Sequence, residues 1–326
     1  MIIISRRHFL ALVGGVGLNA AGLTAQAAET VRRIGLLTTS TQISPREENL
    51  KQGLRDLGWI EGGNIVIEYR RAANNQVRLA EMAAELVALK VDVIVASSTP
   101  SVIAARNATK TIPIVTISAD PVGNGFVKSL RHPGGNVTGI STISTVLSAK
   151  RLELLREINP KLSRVVFLGF GPDPTHKRFV FELEAAAKAF GMTLSVVIAE
   201  SRADLDRALN QVAVTGAGAL VIQPLFPIMG LAPQVLAVAE KLRLPTVTDS
   251  DGFAEAGGLL FYGHDPASVH QRLSVYVDRV LKGANPAELP VEQPQKFLLV
   301  VNRRTARTLG VRIPDSILAR ADKVID

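Results

Sequence analysis

The sequence predicts an α/β protein built from two similar units, each with a parallel sheet covered by helices on both faces. Two observations carry this: short apolar runs alternate with amphipathic stretches along most of the chain, and the series restarts near residue 150. In the first unit, residues 31–37 read as a strand and 47–57 as a helix stopped by Gly58. Residues 65–69 form a second strand, entered through the Gly62-Gly63-Asn64 turn. Leu79, Met82, Ala83, Leu86 and Leu89 recur at a helical period over 77–89. The run 91–96 is almost wholly apolar, as expected of a strand covered on both faces. A helix over 101–108 and a strand over 114–117 follow, and 133–148 reads as the first passage between units.

The second unit repeats the pattern in kind. Residues 150–158 are helical up to Asn159-Pro160; strands are expected over 164–168, 194–198, 219–222 and 246–248, and helices over 179–190, 203–214 and 231–242. The end of the chain begins no third unit. It holds a strand over 259–262, a long helix over 266–281, a linker over 286–294, a strand over 297–301 and a short helical tail. A lone helix and a lone strand are most useful as additions to the two existing sheets, so the chain should cross between units more than once.

The bulk chemistry excludes several function classes. With no cysteine, the chain has no disulfide, thiolate metal site, thiol nucleophile or lipidated cysteine anchor. Arg6-Arg7 precedes an apolar stretch over 9–18 too short to span a bilayer, and Ala25-Gln26-Ala27 places small residues where a signal peptidase cuts. Residues 1–27 therefore read as a removable export signal. The twin arginines followed by Phe9-Leu10 resemble a Tat signal, with an ordinary Sec signal as the alternative. The expected location is the periplasm, as a soluble protein rather than a lipoprotein. The formal charge of +8 falls to +6 once these arginines go, and the remaining basic residues are scattered, against a nucleic-acid surface. No Gly-x-Ser-x-Gly elbow, His-Glu-x-x-His or phosphate loop is present. His132, His176, His264 and His270 show no metal-ligand spacing and are expected at the surface. The expectation is no catalytic residue, no metal and no cofactor.

Ligands of open parallel sheets bind beyond the carboxyl ends of the strands, where helix N-termini point free amides outward. Candidate contacts in the first unit are Thr39 and Ser40 after its first strand, Ser98 and Thr99 after its third, and Ser118 and Asp120 after its fourth. Hydroxyls and amides at neighbouring strand ends suit a carboxylate, although each is also an ordinary helix cap. The second unit offers Phe226 and Asp249, an aromatic and an acid. Capping a following helix competes as the role of Asp249.

Several motifs together resemble the substrate-binding proteins of ABC transporters of the tryptophan/tyrosine-receptor-like type. They are Gly53-Leu54-Arg55-Asp56-Leu57-Gly58-Trp59, Glu61-Gly62-Gly63-Asn64, Asp120-Pro121-Val122-Gly123, Pro133-Gly134-Gly135-Asn136, Leu289-Pro290-Val291-Glu292 and Val301-Asn302. The resemblance covers nearly all of the chain after the signal. It implies a type I periplasmic-binding fold, with two Rossmann-like lobes and parallel sheets joined by a three-segment hinge. The lobes would comprise residues 28–143 with 263–286, and 144–262 with 287–326. It implies a monomeric receptor for a small solute such as an amino acid, served by a membrane permease and ATPase. Ser98, Thr99 and Ser118 would hold the carboxylate, Asp249 the amino group, and Tyr262 would line the cleft or pack beside it. A signalling receptor of the same fold, or an exported hydrolase or isomerase using Asp120 or Asp249 as base, are the alternatives at this point.

Overall fold

A computed structural model describes residues 31–40, 43, 45–73, 75–224, 230–250 and 252–326. The export signal expected over 1–27 and the candidate Phe226 lie outside the described residues.

The first sheet contains β1 (Arg32–Thr38), β2 (Ile65–Arg71), β3 (Val93–Ala96), β4 (Ile114–Ser118) and β5 (Val137–Ser141), all parallel, in the order β2-β1-β3-β4-β5. The second contains β6 (Arg164–Phe170), β7 (Thr193–Ala199), β8 (Leu220–Ile222), β9 (Thr246–Thr248) and β10 (Leu260–His264), in the same relative order, β7-β6-β8-β9-β10. Two further strands, β11 (Phe297–Asn302) and β12 (Lys323–Ile325), extend it past β10, with β11 antiparallel to β10. The repeated order is the structural counterpart of the doubled alternation in the sequence.

Helices α1 (Pro45–Asp56), α2 (Gln76–Ala88) and α3 (Thr99–Ala108) cover the first sheet; α4 (Ser148–Ile158), α5 (His176–Ala189), α6 (Leu205–Val214) and α7 (Ala232–Lys241) cover the second. The long helix α8 (Pro266–Leu281) returns to the first lobe. Its Val269, Leu273, Tyr276, Val277, Val280 and Leu281 join one buried cluster with β1, β3 and α1. Close packing against α1 needs a small residue at Gly53, where a Cβ would run into the Ser274 side chain. The short helices α9 (Arg303–Leu309) and α10 (Asp315–Arg320) complete the second lobe.

The lobes have thus exchanged helices: β5 of the first lobe leads into α4 of the second, and β10 of the second into α8 of the first. Each exchange is a crossing, and the strand β11 requires a third. The first begins after Ser141 rather than at Pro133, because 137–141 pairs along β4 and is buried as a fifth strand. Gly139 permits this at φ +138°, where any side chain would collide with the Thr116 carbonyl. The third crossing follows Glu292, later than the expected boundary at 286. Val291 is buried in the core of the first lobe, and Glu292 bridges to β5 while its carboxylate holds Arg272 of α8 at 2.6 Å.

Candidate functional site

The carboxyl ends of both sheets face one cavity of about 130 Å³. Strand ends of both sheets contribute to its wall: Thr38 at the end of β1, Ser97 to Thr99 after β3, Ser118 at the end of β4 with Ala119 next to it, Thr142 after β5, Pro224 after β8 and Asp249 after β9. The site therefore sits where parallel sheets place ligands, outside the strand ends.

On the first-lobe side, Ser98 caps α3. It takes an extended conformation and accepts the Ser101 N–H, with Pro100 in the first turn, where no donor is lost. Ser118 ends β4 with its Oγ buried and without a hydrogen-bond partner among the described residues. Arg46 and Glu47 come from the start of α1; Glu47 is gripped by both nitrogens of the Arg71 guanidinium at 2.6 and 3.0 Å.

On the second-lobe side the central element is charged. Arg151, one turn into α4, is buried with Asp249, each side chain only 2% exposed, and the two are paired at 2.8 Å. The guanidinium also donates to the carbonyls of Tyr262 (3.0 Å) and Ser144 (2.8 Å), and the Ser144 hydroxyl donates to Asp249 Oδ2. Burial pushes the Asp249 carboxyl upward from its ordinary pKa, and the Arg151 charge opposes that. The brace ties the first crossing to the ends of β9 and β10. It occupies Oδ2 and leaves Oδ1 buried without a partner among the described residues.

The lobes touch across the cavity. Thr99 Oγ1 lies 3.1 Å from Thr175 Oγ1, and Asn124 Nδ2 donates to that same hydroxyl at 3.2 Å. Asp173, whose Oδ1 accepts the Thr175 N–H at 2.9 Å, is pushed toward its neutral form by burial. At the rim, Asp120 accepts the Gly123 N–H at 2.7 Å and reaches Arg178 of α5 across the gap at 4.0 Å.

Of the residues expected from sequence, Ser98, Thr99, Ser118 and Asp249 line this cavity together. Thr39, Ser40, Asp120 and Tyr262 are not among its lining residues; Tyr262 packs beside the second-lobe core. His264 and His270, expected at the surface, are instead in the cavity wall. Burial drives their pKa values down to about 3 and about 4, and Nδ1 of His264 has no partner among the described residues. His270 had a legible signal: it lies on the apolar stripe of α8, between Val269 and Leu273. Arg151 had the same signal, beside Leu152 and Leu155 on the buried face of α4. Among the described residues no cluster of three or more metal-ligating side chains occurs, and no helix is long and apolar enough to cross a membrane.

Comparison with known proteins agrees with this architecture. A tyrosine-binding protein of Clostridioides difficile is 28% identical over 280 residues, covering 86% of this chain and 80% of its own length. An ABC domain from Streptococcus pneumoniae solved in complex with L-Trp superimposes with a TM-score of 0.83 at 26% identity, over 91% of this chain and all of that one. A substrate-binding protein with adhesive properties from Clostridium difficile, in its ligand-free, open structure, is also 26% identical over 90% of this chain and 99% of its own. Its TM-score is only 0.66. The family described as ABC transporter substrate binding protein matches residues 43–325, and the chain belongs to it.

Proposed function

We propose that this chain is an exported receptor that closes around an amino acid with an aromatic side chain and passes it to an ABC permease and its ATPase. One observation carries the reading. Ser118 Oγ, Asp249 Oδ1 and His264 Nδ1 come from three elements and both lobes, line one cavity, and are buried without partners among the described residues. An unmet buried polar atom costs about 1–3 kcal/mol, so three around one space are best explained by a polar solute that satisfies them. A zwitterion fits: the carboxylate meets the hydroxyls of Ser98, Thr99 and Ser118 near the N-terminus of α3, and the ammonium meets Oδ1 of Asp249. Tyrosine in the Clostridioides difficile relative and L-Trp in the Streptococcus pneumoniae structure support the aromatic side chain.

Closure is the working step. A solute that contacts both lobes favours the closed form over the open one, and the permease recognises the closed form. The chain itself makes and breaks no bond. Export through the twin-arginine signal over residues 1–27 delivers it to the periplasm. Deleting residues 1–27 should leave a folded, soluble product in the cytoplasm; an insoluble product counts against the signal. A thermal-shift screen against amino acids, aromatic acids and purines tests the ligand class. A ligand at 100 times its Kd stabilises the native state by about 2.7 kcal/mol. Aromatic amino acids should give the largest rise in Tm; no rise with any amino acid would sink the reading.

A further inference from the structure

Part of the cavity wall is apolar. Leu36, Leu50, Val95 and Leu273 belong to one buried cluster of the first lobe, with Ile117 packed against it, and all five also line the cavity. His270 lies on the same helix face as Leu273 and lines the cavity beside these apolar side chains, with the Arg46 guanidinium near enough to act on the imidazole. Its tautomer is set by geometry. Nδ1 stands 2.7 Å from the carbonyl of Pro266, one turn back on α8, and a carbonyl can only accept. Nδ1 therefore carries the proton and is turned onto its own helix. Burial keeps the ring neutral, with its pKa pushed down to about 4, which leaves a lone pair on Nε2. Nδ1 of His264, in the same wall, is buried without a partner among the described residues.

We propose that His270 reads a hydrogen-bond donor on the ring of the solute, so that the receptor selects a phenol or indole ring over an unsubstituted phenyl ring. This rests on the amino-acid-receptor reading above and makes it specific. The carboxylate and ammonium are held by the hydroxyls and Asp249, the ring lies against Leu36 and Leu273, and the ring O–H or N–H donates to Nε2. A phenyl ring takes the same place and leaves Nε2 desolvated without a partner. Sites built around a hydroxyl reject the analogue that lacks it far more strongly than apolar pockets reject a missing methylene.

Tyrosine and phenylalanine differ by that hydroxyl alone. Isothermal titration of the mature chain should give a Kd for L-tyrosine at least about ten-fold below that for L-phenylalanine. The His270→Leu variant should bring the two within about three-fold by weakening tyrosine binding, because the acceptor for the ring hydroxyl is lost. His270→Gln, whose side-chain carbonyl can still accept, should keep most of the preference, and it tests the role if the leucine variant fails to fold. Equal binding of both amino acids by the wild type would overturn the inference and leave the receptor reading intact. So would a His270→Leu or His270→Gln variant that weakens both alike, the mark of a structural role. Binding of neither amino acid by the wild type would overturn both.

Discussion

Where the first lobe meets the cavity, its strands end in small neutral donors: the Ser98 cap of α3, Thr99 and Ser118. Where the second lobe meets it, β9 ends in Asp249, whose charge is already matched by Arg151 and whose Oδ2 is already taken by Ser144 and Arg151. On one side Ser118 keeps a hydroxyl unpartnered among the described residues, while Ser98 and Thr99 already bond Ser101 and Thr175. The other presents a braced ion pair that holds three chain segments together and has one oxygen left over. A carboxylate in a cleft is therefore not by itself a ligand contact; its neighbours decide how much of it remains.

That contrast makes the two sides respond differently to mutation, and the largest effect should come from the brace. Arg151→Met leaves Asp249 buried and unmatched, and should lower stability by about 3–5 kcal/mol. Adding Asp249→Asn should recover much of the loss in urea unfolding, since the stranded charge goes too. If Arg151→Met barely shifts the midpoint, the pair is not a brace. Replacing Ser98 and Thr99 together with Ala should act on affinity instead, weakening solute binding by about 1–3 kcal/mol by titration. Loss of the Ser98 cap adds a stability cost of about 1 kcal/mol. An unchanged Kd would remove the rim from the site.

Smaller effects test closure and the histidines. Thr175→Val removes the hydrogen bonds from Thr99 and Asn124 without changing side-chain shape. It should weaken binding by about 0.5–1.5 kcal/mol and expand the liganded form in small-angle scattering. The histidines give a pH dependence of defined sign. Burial lowers the pKa of His264 and His270 below 6.5, and Arg46 and Arg151 add repulsion at His264 that Asp265 only partly offsets. The unfolded chain then takes up protons that the folded chain refuses. Stability present above pH 6.5 is lost as the pH falls toward about 4. Between pH 7 and pH 6 each histidine should contribute roughly 0.7 kcal/mol to that loss. His270→Gln should flatten the slope over this range; an unchanged slope would mean that His270 is solvated.

Ser98, Thr99 and Ser118 were readable because the rule behind them is local: an apolar strand run, then a hydroxyl, then a helix. The helices around Leu79–Leu86 and Val269–Leu281 were readable for the same kind of reason, their 3.6-residue period. Strand β5 was missed because 137–141 is short, is interrupted by Gly139 and owes its order to pairing with β4. The place of His264 and His270 in the cavity wall is not legible in their spacing, because the two meet only through the crossing from β10 to α8. Glu292 was read as linker because its partners, β5 and Arg272, are remote in sequence.

By itself, the sequence determined the fold class, the two units and the hydroxyl rim, since periodicity and strand-to-helix transitions are properties of neighbouring residues. Only the tertiary structure decided which polar groups remain for a solute. Arg151 reaches Asp249 across 98 positions and Thr99 reaches Thr175 across 76. Such pairs are selected by how the exchanged helices pack, and no local pattern encodes that.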